Sequence, residues 1–462
     1  MGKEDRVRGL PGAHPAKKVY ILSLGCSRNL VDSEVLQGLF RKKGFVISES
    51  PDTADMAVVN TCGFIEEAKQ ESINMILRLA ELKKSGKLKR LIVSGCLSQR
   101  YPSELEKEIK EIDGIFGTSD FTRIPDMAEA LFCGEKIKEV SAVPSFLYDH
   151  SDERVFITPR HYAYLKIQEG CSNRCSYCII PDLRGPLRSR SIDSVLEEAK
   201  KIRRKRNIKE LILVAQDITA FGSDKKGSAG LPELLKKLSP LLSGRWIRLL
   251  YTHPARFSGD LINVIADSPN ICRYIDLPVQ HINDEILDKM ERHVSSGEIR
   301  DLIGRLRDKM KDVVLRTSVI VGFPGETDRQ FEELLDFLKR TRFERLGAFV
   351  YSPEEGTKAA GFKGHLPDEV KQERFDRVMR LQMDISSENN LKCLGRTLRV
   401  LIDENVPGEK DSYIGRSYMD APEVDGNVFV KGKNMKIGDF VDVNITGTME
   451  YDLTGNKCDL KD

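Results

Sequence analysis

The run Gly170-Cys171-Ser172-Asn173-Arg174-Cys175-Ser176-Tyr177-Cys178 follows an apolar stretch, residues 164–167, that is typical of a short buried strand. Its cysteines have the spacing C-x3-C-x2-C. Three thiolates this close together can bind three irons of a cubane iron-sulfur cluster and leave the fourth iron open for chemistry. The alternatives are a reduced cysteine patch and structural zinc, but zinc usually needs a fourth Cys or His nearby, which the run lacks. The stretch therefore predicts an iron-sulfur cluster at the end of a strand.

The stretch 164–167 is the first of six strand-like segments, which are separated by helical patterns. Repeated strand-helix units without hairpins predict an α/β domain in which a parallel sheet curls into a barrel. Six units instead of eight predict an open (β/α)6 barrel with room for a large substrate. The predicted strands are 164–167, 210–215, 246–251, 274–277, 314–321 and 347–351. We expect this domain to cover residues 157–390.

Barrel enzymes carry their active sites at the carboxyl ends of the strands. Polar or glycine-rich residues stand at these ends, where a buried barrel would otherwise be aliphatic. They are Gln216, Asp217, His253, Gln280, His281, the loop from Gly322 through Gly325 to Glu326, and Ser352. A single histidine at such a place is more often a hydrogen-bonded structural residue than a catalyst, so the shared position is the stronger argument for a ligand site.

Three further cysteines occupy equivalent places in residues 17–140. Short apolar strands alternate there with amphipathic helices, which is typical of a doubly wound parallel sheet. Cys26, Cys62 and Cys96 each stand at the carboxyl end of a strand-like segment. Ligands bind at that edge of such a sheet, so the three thiols could converge on one cluster. A cysteine merely tolerated at a turn explains any one of them, but their shared position favours a second open-iron cluster.

The two ends of the chain have different patterns. Residues 1–16 combine Gly, Pro and charges and are expected to form a flexible tail. Residues 393–462 contain short strands at 398–402, 427–430 and 440–445, broken by Gly and Asp turns, which predict a small antiparallel barrel. This region has nine Lys plus Arg against thirteen Asp plus Glu. Its net negative charge opposes RNA binding and would attract a basic protein.

The composition sets broader limits. The 462 residues include 73 Lys plus Arg and 71 Asp plus Glu, so the global charge does not indicate nucleic-acid binding. No apolar run of membrane-spanning length and no signal-peptide pattern is found, so we expect a cytoplasmic protein. Ten cysteines in that compartment favour metal binding or catalysis over disulfides. The isolated ones, Cys133, Cys272, Cys393 and Cys458, are expected to be ordinary thiols.

These segments together resemble the methylthiotransferase branch of the radical S-adenosylmethionine enzymes, from residue 18 to the end and in the same domain order. The resemblance implies an auxiliary 4Fe-4S cluster on Cys26, Cys62 and Cys96, a second 4Fe-4S cluster on Cys171, Cys175 and Cys178, and a TRAM domain at residues 393–462. Residues 23–34, 60–65 and 450–453 are similar to the members that modify a ribosomal protein. Ser27-Arg28 departs from their usual Pro-Lys, and Thr252-His253-Pro254 from their usual Tyr-Pro.

The implied activity is addition of a methylthio group to the β-carbon of an aspartate in small-subunit ribosomal protein S-twelve, free or in the ribosome. One electron, from a donor such as flavodoxin, would cleave S-adenosylmethionine at the open iron, and the resulting 5′-deoxyadenosyl radical would remove a hydrogen atom. Sulfur would come from the auxiliary cluster and the methyl group from a second S-adenosylmethionine. The candidates for binding S-adenosylmethionine are Tyr177, Gln216, Gln280, Gly322, Gly325 and Glu326. Neither a membrane nor a specific nucleic acid is expected as a partner.

Two other functions remain open at this stage. The same chemistry could modify an adenosine in transfer RNA, which a basic terminal barrel would have favoured. A non-enzymatic ribosome-associated protein could instead hold metal structurally through the same cysteines. Iron and sulfide analysis with an assay for deoxyadenosine separates this binding protein from either enzyme.

Overall fold

The computed structural model describes residues 16–227 and 229–458, and the chain forms two compact units. The first unit extends to Phe146 and includes Asp152–Val155. The second comprises Leu147–Ser151 and the chain from Phe156 onward. The predicted tail lies outside the described residues except for Ala16. None of the helices in the described ranges has both the length and the apolar character that crossing a bilayer requires.

A six-stranded parallel sheet forms the first unit, which confirms the predicted doubly wound domain. The strands are β1 (Lys18–Ser23), β2 (Val46–Ser48), β3 (Met56–Thr61), β4 (Arg90–Gly95), β5 (Gly114–Phe116) and β6 (Ile137–Glu139), in the order β2-β1-β3-β4-β5-β6. The helices are α1 (Ser27–Lys42), α2 (Glu66–Lys84), α3 (Cys96–Arg100), α4 (Pro102–Glu108) and α5 (Ile124–Phe132). Because β1 lies between β2 and β3, the sheet has its topological switch point there, where doubly wound sheets bind ligands.

The second unit begins with the open barrel that the sequence predicts. Its strands are β7 (Tyr162–Lys166), β10 (Glu210–Val214), β11 (Trp246–Leu249), β12 (Ile271–Asp276), β13 (Val314–Val321) and β14 (Arg345–Val350). They are parallel and lie side by side in chain order. In the described residues β7 pairs only with β10 and β14 only with β13, so the barrel stays open. Two short strands, β8 (Gln168–Glu169) and β9 (Arg188–Ser189), pair with each other.

Helices cover the outside of this barrel. They are α6 (Ile180–Arg184), α7 (Ile192–Arg206), α8 (Leu231–Leu241), α9 (Gly259–Asp267), α10 (Asp284–Lys289), α11 (Ser296–Lys309), α12 (Asp328–Thr341) and α13 (Asp368–Leu391). Local sequence explains where two of them begin, because Ser295 with Glu298 and Thr327 with Gln330 form complete capping boxes. The apolar faces of the helices and strands form one continuous buried core.

The C-terminal region forms a closed barrel of five strands, β15 (Thr397–Asn405), β16 (Ser412–Ser417), β17 (Val428–Lys431), β18 (Phe440–Thr448) and β19 (Leu453–Lys457). The prediction of a purely antiparallel barrel needs one correction, since β17 and β19 are parallel. The sequence pattern also missed β16 and β19, which contain glycine. A Cβ atom on Gly415 would lie 2.5 Å from the carbonyl oxygen of Leu401, so glycine is needed where neighbouring strands approach closely.

Buried ion pairs join this small barrel to the amino-terminal ends of the large barrel's strands. Glu210, the first residue of β10, accepts hydrogen bonds from Arg248 Nε at 2.6 Å and from Arg416 Nη1 at 2.9 Å. Arg416 also donates from Nε to Asp403 at 2.7 Å. The other oxygen of Asp403 lies 2.7 Å from His161 Nε2. The small barrel therefore packs at the end of the large barrel opposite to the carboxyl ends of its strands.

Other acids of the small barrel have partners in the same unit. Arg345 donates from Nη2 to Asp420 at 2.6 Å, and the Tyr274 hydroxyl donates to Asp425 at 2.6 Å. With Asp403, three carboxylates that contribute to the negative charge of this domain are thus used inside the protein. The negative charge that this domain can present to a basic partner is therefore smaller than the sequence count, and the attraction stays a prediction.

Breaking this network should destabilise the second unit strongly. We expect Arg416→Met to lower its free energy of unfolding by about 3–5 kcal/mol, because Glu210 and Asp403 would stay buried without their shared cation. The single tryptophan of the chain, Trp246, reports on this unit through its fluorescence, and its ring lies 4.7 Å from that of Phe440 in the small barrel. Urea titration of this signal measures the change.

The matched control removes an exposed ion pair from the same unit. Arg340 pairs with Asp336 along α12, and their side chains are 74% and 54% exposed. Arg340→Met should therefore cost about 0–1 kcal/mol. Equal losses for the two variants would contradict a structural role for the buried network.

Candidate active site

The first triplet of cysteines lies at one edge of the first unit's sheet. Cys26 follows β1, Cys62 follows β3, and Cys96 begins α3 directly after β4. These strands are neighbours, so the three cysteines share the carboxyl edge. The turns pack tightly, since a Cβ atom on Gly25 would lie 2.8 Å from the Sγ atom of Cys62. The structure thus brings together the three residues that the sequence selected.

Buried polar side chains hold these turns in place. Asn29 donates to the carbonyl oxygens of Leu24 at 3.0 Å and Thr61 at 2.8 Å, which ties the turn after β1 to the end of β3. The hydroxyl of Thr61 donates to the carbonyl oxygen of Ser94 at 2.6 Å and accepts from the backbone N–H of Leu97 at 3.2 Å. Sequence reasoning missed these residues, although their polarity beside the cysteines was a visible signal.

The second triplet lies in the loop after β8. The backbone N–H of Cys171 donates to the carbonyl oxygen of Gly185 at 3.1 Å, and that of Cys178 to the carbonyl oxygen of Cys175 at 2.9 Å. Cys175 is buried, whereas Cys171 and Cys178 are partly exposed. None of the ten cysteines, all of which lie in the described ranges, forms a disulfide.

The cysteine environments raise the pKa of two of the thiols. Burial, followed by the proximity of Cys96, raises the pKa of Cys62 to about 11. Burial also raises the pKa of Cys171 to about 11. Both thiols therefore keep their protons at neutral pH in the absence of iron, and metal binding must displace these protons.

This leads to a labelling prediction for the iron-free protein. At pH 8, iodoacetamide should modify the exposed Cys133 well before Cys62 and Cys171, because a thiol with a pKa of about 11 is ionised in only roughly one molecule in a thousand. The rates at Cys62 and Cys171 should rise about tenfold per pH unit as the pH approaches that value. Mass spectrometry of the labelled peptides measures them. In urea the three cysteines should be labelled at similar rates. Labelling of Cys62 and Cys171 as fast as Cys133 in the folded protein would contradict the prediction.

The two triplets differ from a site for a single metal ion. In residues 16–227 and 229–458, no three His, Cys, Asp or Glu side chains are close enough to bind one metal ion together. A structural zinc needs all its ligands about 2.0–2.3 Å from a single point. A cubane cluster instead has a separate iron for each cysteine. Three thiols at one sheet edge, close enough for Cys96 and Cys26 to raise the pKa of Cys62, are the kind of donor set that such a cluster uses.

The mouth of the open barrel contains buried polar atoms without a hydrogen-bond partner in the described residues. They are Gln168 Oε1, Gln216 Oε1, His253 Nε2, Arg292 Nε and the Tyr351 hydroxyl. Native proteins leave few such atoms unsatisfied, and a concentration of them indicates a missing polar ligand. All but Arg292 lie just beyond the carboxyl ends of β7, β10, β11 and β14. The residues present thus fit a polar molecule such as S-adenosylmethionine.

Gln216, one of the predicted ligand residues, is held by a buried carboxylate. Its Nε2 donates to Glu169, which also pairs with Lys166 and Arg184. Burial alone would raise the pKa of Glu169, but Lys166 and Arg184 outweigh it and lower the pKa to about 2. Glu169 therefore stays ionised and fixes the amide of Gln216, with Gln216 Oε1 left for another donor. Glu169 was missed by sequence reasoning, although it stands two residues before Cys171.

Tyr177 and Gln280 have different surroundings. Tyr177 packs against a small apolar cluster that includes Phe323 and Tyr351. Its hydroxyl lies 3.4 Å from Arg292 Nη1. Gln280 has a backbone φ of 68°, a strained value for a residue with a side chain and one that clusters at functional sites. Contact of Tyr177 and Gln280 with S-adenosylmethionine stays a prediction.

The glycine-rich loop owes its shape to contacts within the protein. A Cβ atom on Gly322 would lie 2.4 Å from the Cγ atom of Lys371, so packing explains this glycine without any ligand. Glu326 is buried, accepts hydrogen bonds from the backbone of Gly322 and from Arg374 Nη1 at 2.9 Å, and lies 3.3 Å from His281 Nε2. Both carboxylate oxygens thus already have partners. Ligand contact by Gly322, Gly325 and Glu326 stays a prediction.

His253 is a neutral residue at the barrel mouth. Its Nδ1 accepts from the backbone of Ala255 at 3.3 Å, so Nε2 carries the proton. Burial and the nearby Arg292 and Arg256 lower the pKa of His253 to about 2. The ring can therefore donate a hydrogen bond but does not act as a base at neutral pH.

Three families match the chain, described as "Uncharacterized protein family UPF0004" over residues 18–117, "Radical SAM superfamily" over 165–338 and "TRAM domain" over 394–457. The ribosomal protein uS12 methylthiotransferase RimO of Heliobacterium modesticaldum is 46% identical over 98% of this chain and 98% of its own. The chain belongs to the uS12 methylthiotransferase family. The RimO protein of Desulforamulus reducens is 48% identical over 94% of this chain and 98% of its own. The predicted family and enzyme class, a radical S-adenosylmethionine methylthiotransferase, are therefore confirmed.

Solved structures support the fold of this family member. The radical S-adenosylmethionine methyltransferase TsrM from Kitasatospora setae, with cobalamin and a 4Fe-4S cluster bound, superposes with a TM-score of 0.55 at 14% identity. The match covers 85% of this chain and 80% of TsrM. At this identity the likeness concerns the fold alone, and it agrees with the predicted α/β architecture.

Proposed function

We propose that this protein adds a methylthio group to the β-carbon of an aspartate in ribosomal protein uS12, using S-adenosylmethionine. The observation that carries the proposal is the presence of two separate cysteine triplets, each at the carboxyl edge of a parallel sheet, in a member of this family. One triplet alone would serve radical formation but would leave no second centre for sulfur. Two triplets match the two tasks of methylthio transfer.

The six cysteines are the proposed ligands of two 4Fe-4S clusters, Cys26, Cys62 and Cys96 for one and Cys171, Cys175 and Cys178 for the other. When bound, the clusters and S-adenosylmethionine supply a radical able to remove hydrogen from an unactivated carbon, together with the sulfur and methyl groups.

The residues of the barrel mouth position the reactants. Gln216, fixed by the ionised Glu169, offers Oε1 to a donor, and the Tyr351 hydroxyl offers a proton to an acceptor. The neutral His253 provides an N–H group. Because these groups are buried, they can orient S-adenosylmethionine while water stays excluded from the reacting carbon.

The decisive experiment is mass spectrometry of uS12. Reconstituted protein is incubated anaerobically with S-adenosylmethionine, a one-electron reductant and either purified uS12 or small ribosomal subunits. We expect one aspartate of uS12 to gain the mass of a methylthio group in exchange for hydrogen. Transfer RNA serves as the competing substrate. If transfer RNA gains a methylthio group on adenosine while uS12 stays unmodified, the protein acts as an RNA-modifying enzyme instead. If the protein binds no iron and forms no deoxyadenosine, it is a non-enzymatic protein that holds metal structurally.

The remaining partners follow from this activity. The reaction needs a one-electron donor, for which we propose a protein such as flavodoxin. A ribosomal substrate implies a cytoplasmic location, with no membrane partner and no specific nucleic acid. We further propose domain boundaries at residues 17–140, 157–390 and 393–462.

A further inference from the structure

Arg292 is a buried cation beside the second cysteine triplet. It is 4% exposed, and its Nη1 lies 3.6 Å from the Sγ atom of Cys175 and 3.4 Å from the hydroxyl of Tyr177. Its Nη2 donates to the carbonyl oxygen of Pro278. None of its hydrogen-bond partners in the described residues is a carboxylate. The carboxylate of Asp217 lies near Arg292, but the anion in direct contact with its guanidinium would be the Cys175 sulfur, once that sulfur binds iron.

Other buried arginines of the same unit differ in this respect. Arg248 and Arg416 share Glu210, and Arg374 pairs with Glu326. A buried cation without an anion is costly, because desolvation of the charge is not compensated. Among the described residues Arg292 has no hydrogen-bonded carboxylate of this kind, and only the nearby Asp217 attracts it from a longer distance. A cluster bound at Cys175 would add a negative charge in direct contact with the guanidinium.

The backbone is shaped to present this side chain to the cysteine loop. Glu291 and His293, on either side of Arg292, have φ values of 54° and 53°, which side-chain-bearing residues rarely adopt. The backbone N–H of Ser176, directly after Cys175, donates to the carbonyl oxygen of Met290 at 3.0 Å. The positive φ of Glu291 belongs to the cap that ends α10, in which the backbone N–H of Arg292 donates to the carbonyl oxygen of Leu287 at 3.0 Å. This cap and the hydrogen bond from Ser176 to Met290 fix the position of Arg292 against the cysteine loop.

We propose that Arg292 raises the reduction potential of the cluster bound by Cys171, Cys175 and Cys178. One electron from an external one-electron donor enters the cluster on reduction, and no protein bond forms or breaks. The added negative charge is stabilised by the fixed guanidinium and by its N–H group directed at a ligand sulfur. Arg292 thus acts on the cluster through Cys175. This inference rests on the proposed cluster at these cysteines.

The test is a potentiometric titration followed by electron paramagnetic resonance. The full chain carries Cys26→Ala, Cys62→Ala and Cys96→Ala, so that only the second cluster gives a signal. In this background, Arg292→Gln should make reduction less favourable by about tenfold, which corresponds to about 59 mV for one electron. Arg292→Lys, which keeps the charge, should restore most of the potential.

The control is Arg174→Gln in the same cysteine loop. Arg174 is exposed, so water and salt screen its charge, and its removal should shift the potential far less. Iron content and the binding of S-adenosylmethionine are measured for every variant. The inference is overturned if the Arg292→Gln protein binds four irons and its reduction potential is unchanged. It is also overturned if the only effect of Arg292→Gln is weaker binding of S-adenosylmethionine. If the Arg292→Gln protein binds no iron, Arg292→Lys serves as the test. The lysine side chain is shorter and loses the contact with Cys175, so the reduction potential of this variant should lie slightly below that of the parent. An unchanged potential would overturn the inference. A parent protein without any cluster would instead refute the proposed function.

Discussion

Simultaneous replacement of Cys171, Cys175 and Cys178 by Ala is expected to abolish formation of deoxyadenosine and all methylthio transfer. The three thiols are the proposed ligands of the cluster that binds S-adenosylmethionine, and no other cysteine triplet belongs to the second unit among its described residues. The iron content should fall from about eight to about four per chain, at about four irons per cubane cluster. Iron analysis, absorption spectra and chromatography of deoxyadenosine measure the three quantities.

Two of the isolated cysteines provide the control for this variant. Cys133 is exposed and Cys458 is partly exposed, and neither belongs to a triplet. Cys133→Ala with Cys458→Ala should therefore leave iron content and activity at the level of the parent. Reductive cleavage of S-adenosylmethionine by the protein without Cys171, Cys175 and Cys178 would show that the site is assigned wrongly.

Loss of the other triplet should separate the two halves of the reaction. With Cys26, Cys62 and Cys96 changed to Ala, we expect about four irons to remain and deoxyadenosine to form, while methylthiolated uS12 falls below detection. The physical reason is that these cysteines belong to a different sheet in the other unit, whereas the radical is generated in the barrel.

Folding must be checked in the same samples, since Cys96 is buried at the start of α3. Circular dichroism and the fluorescence of Trp246 report on the two units together and on the second unit alone. Complete methylthiolation by a folded variant without these three cysteines would refute the proposed sulfur-delivering site.

The strands of the large barrel and the strand-end positions of the six cysteines were predictable because their signals are local. A segment rich in β-branched residues, such as residues 314–321 before Gly322, predicts a strand directly, and β13 occupies those residues. Cysteines at the ends of successive strands follow from the same pattern, because a parallel sheet places such ends at one edge.

The polar surroundings of the site were not predictable, because they depend on contacts between distant residues. Arg292 is 117 positions from Cys175 along the chain, and its own neighbours Glu291 and His293 give no sign of a cluster. Asp403 and Asp425 behave in the same way, since their sequence positions indicate surface acids whereas their partners His161 and Tyr274 come from the large barrel. The number of acids counted in a sequence therefore overstates the negative charge that is exposed to a binding partner.

The buried ion pairs between the small barrel and the amino-terminal ends of the large barrel's strands restrict which domains can be exchanged between this protein and its relatives. A chimaera that exchanges the chain from residue 393 onward separates Arg416 from Glu210, Asp403 from His161, and Asp420 from Arg345. A transplanted domain can dock only if it brings matching charges at these positions, whatever the similarity of its fold. The two barrels must therefore be exchanged together. Exchanges at the opposite end face the same demand inside the large barrel, where Glu169 pairs with Lys166 and Glu326 with Arg374.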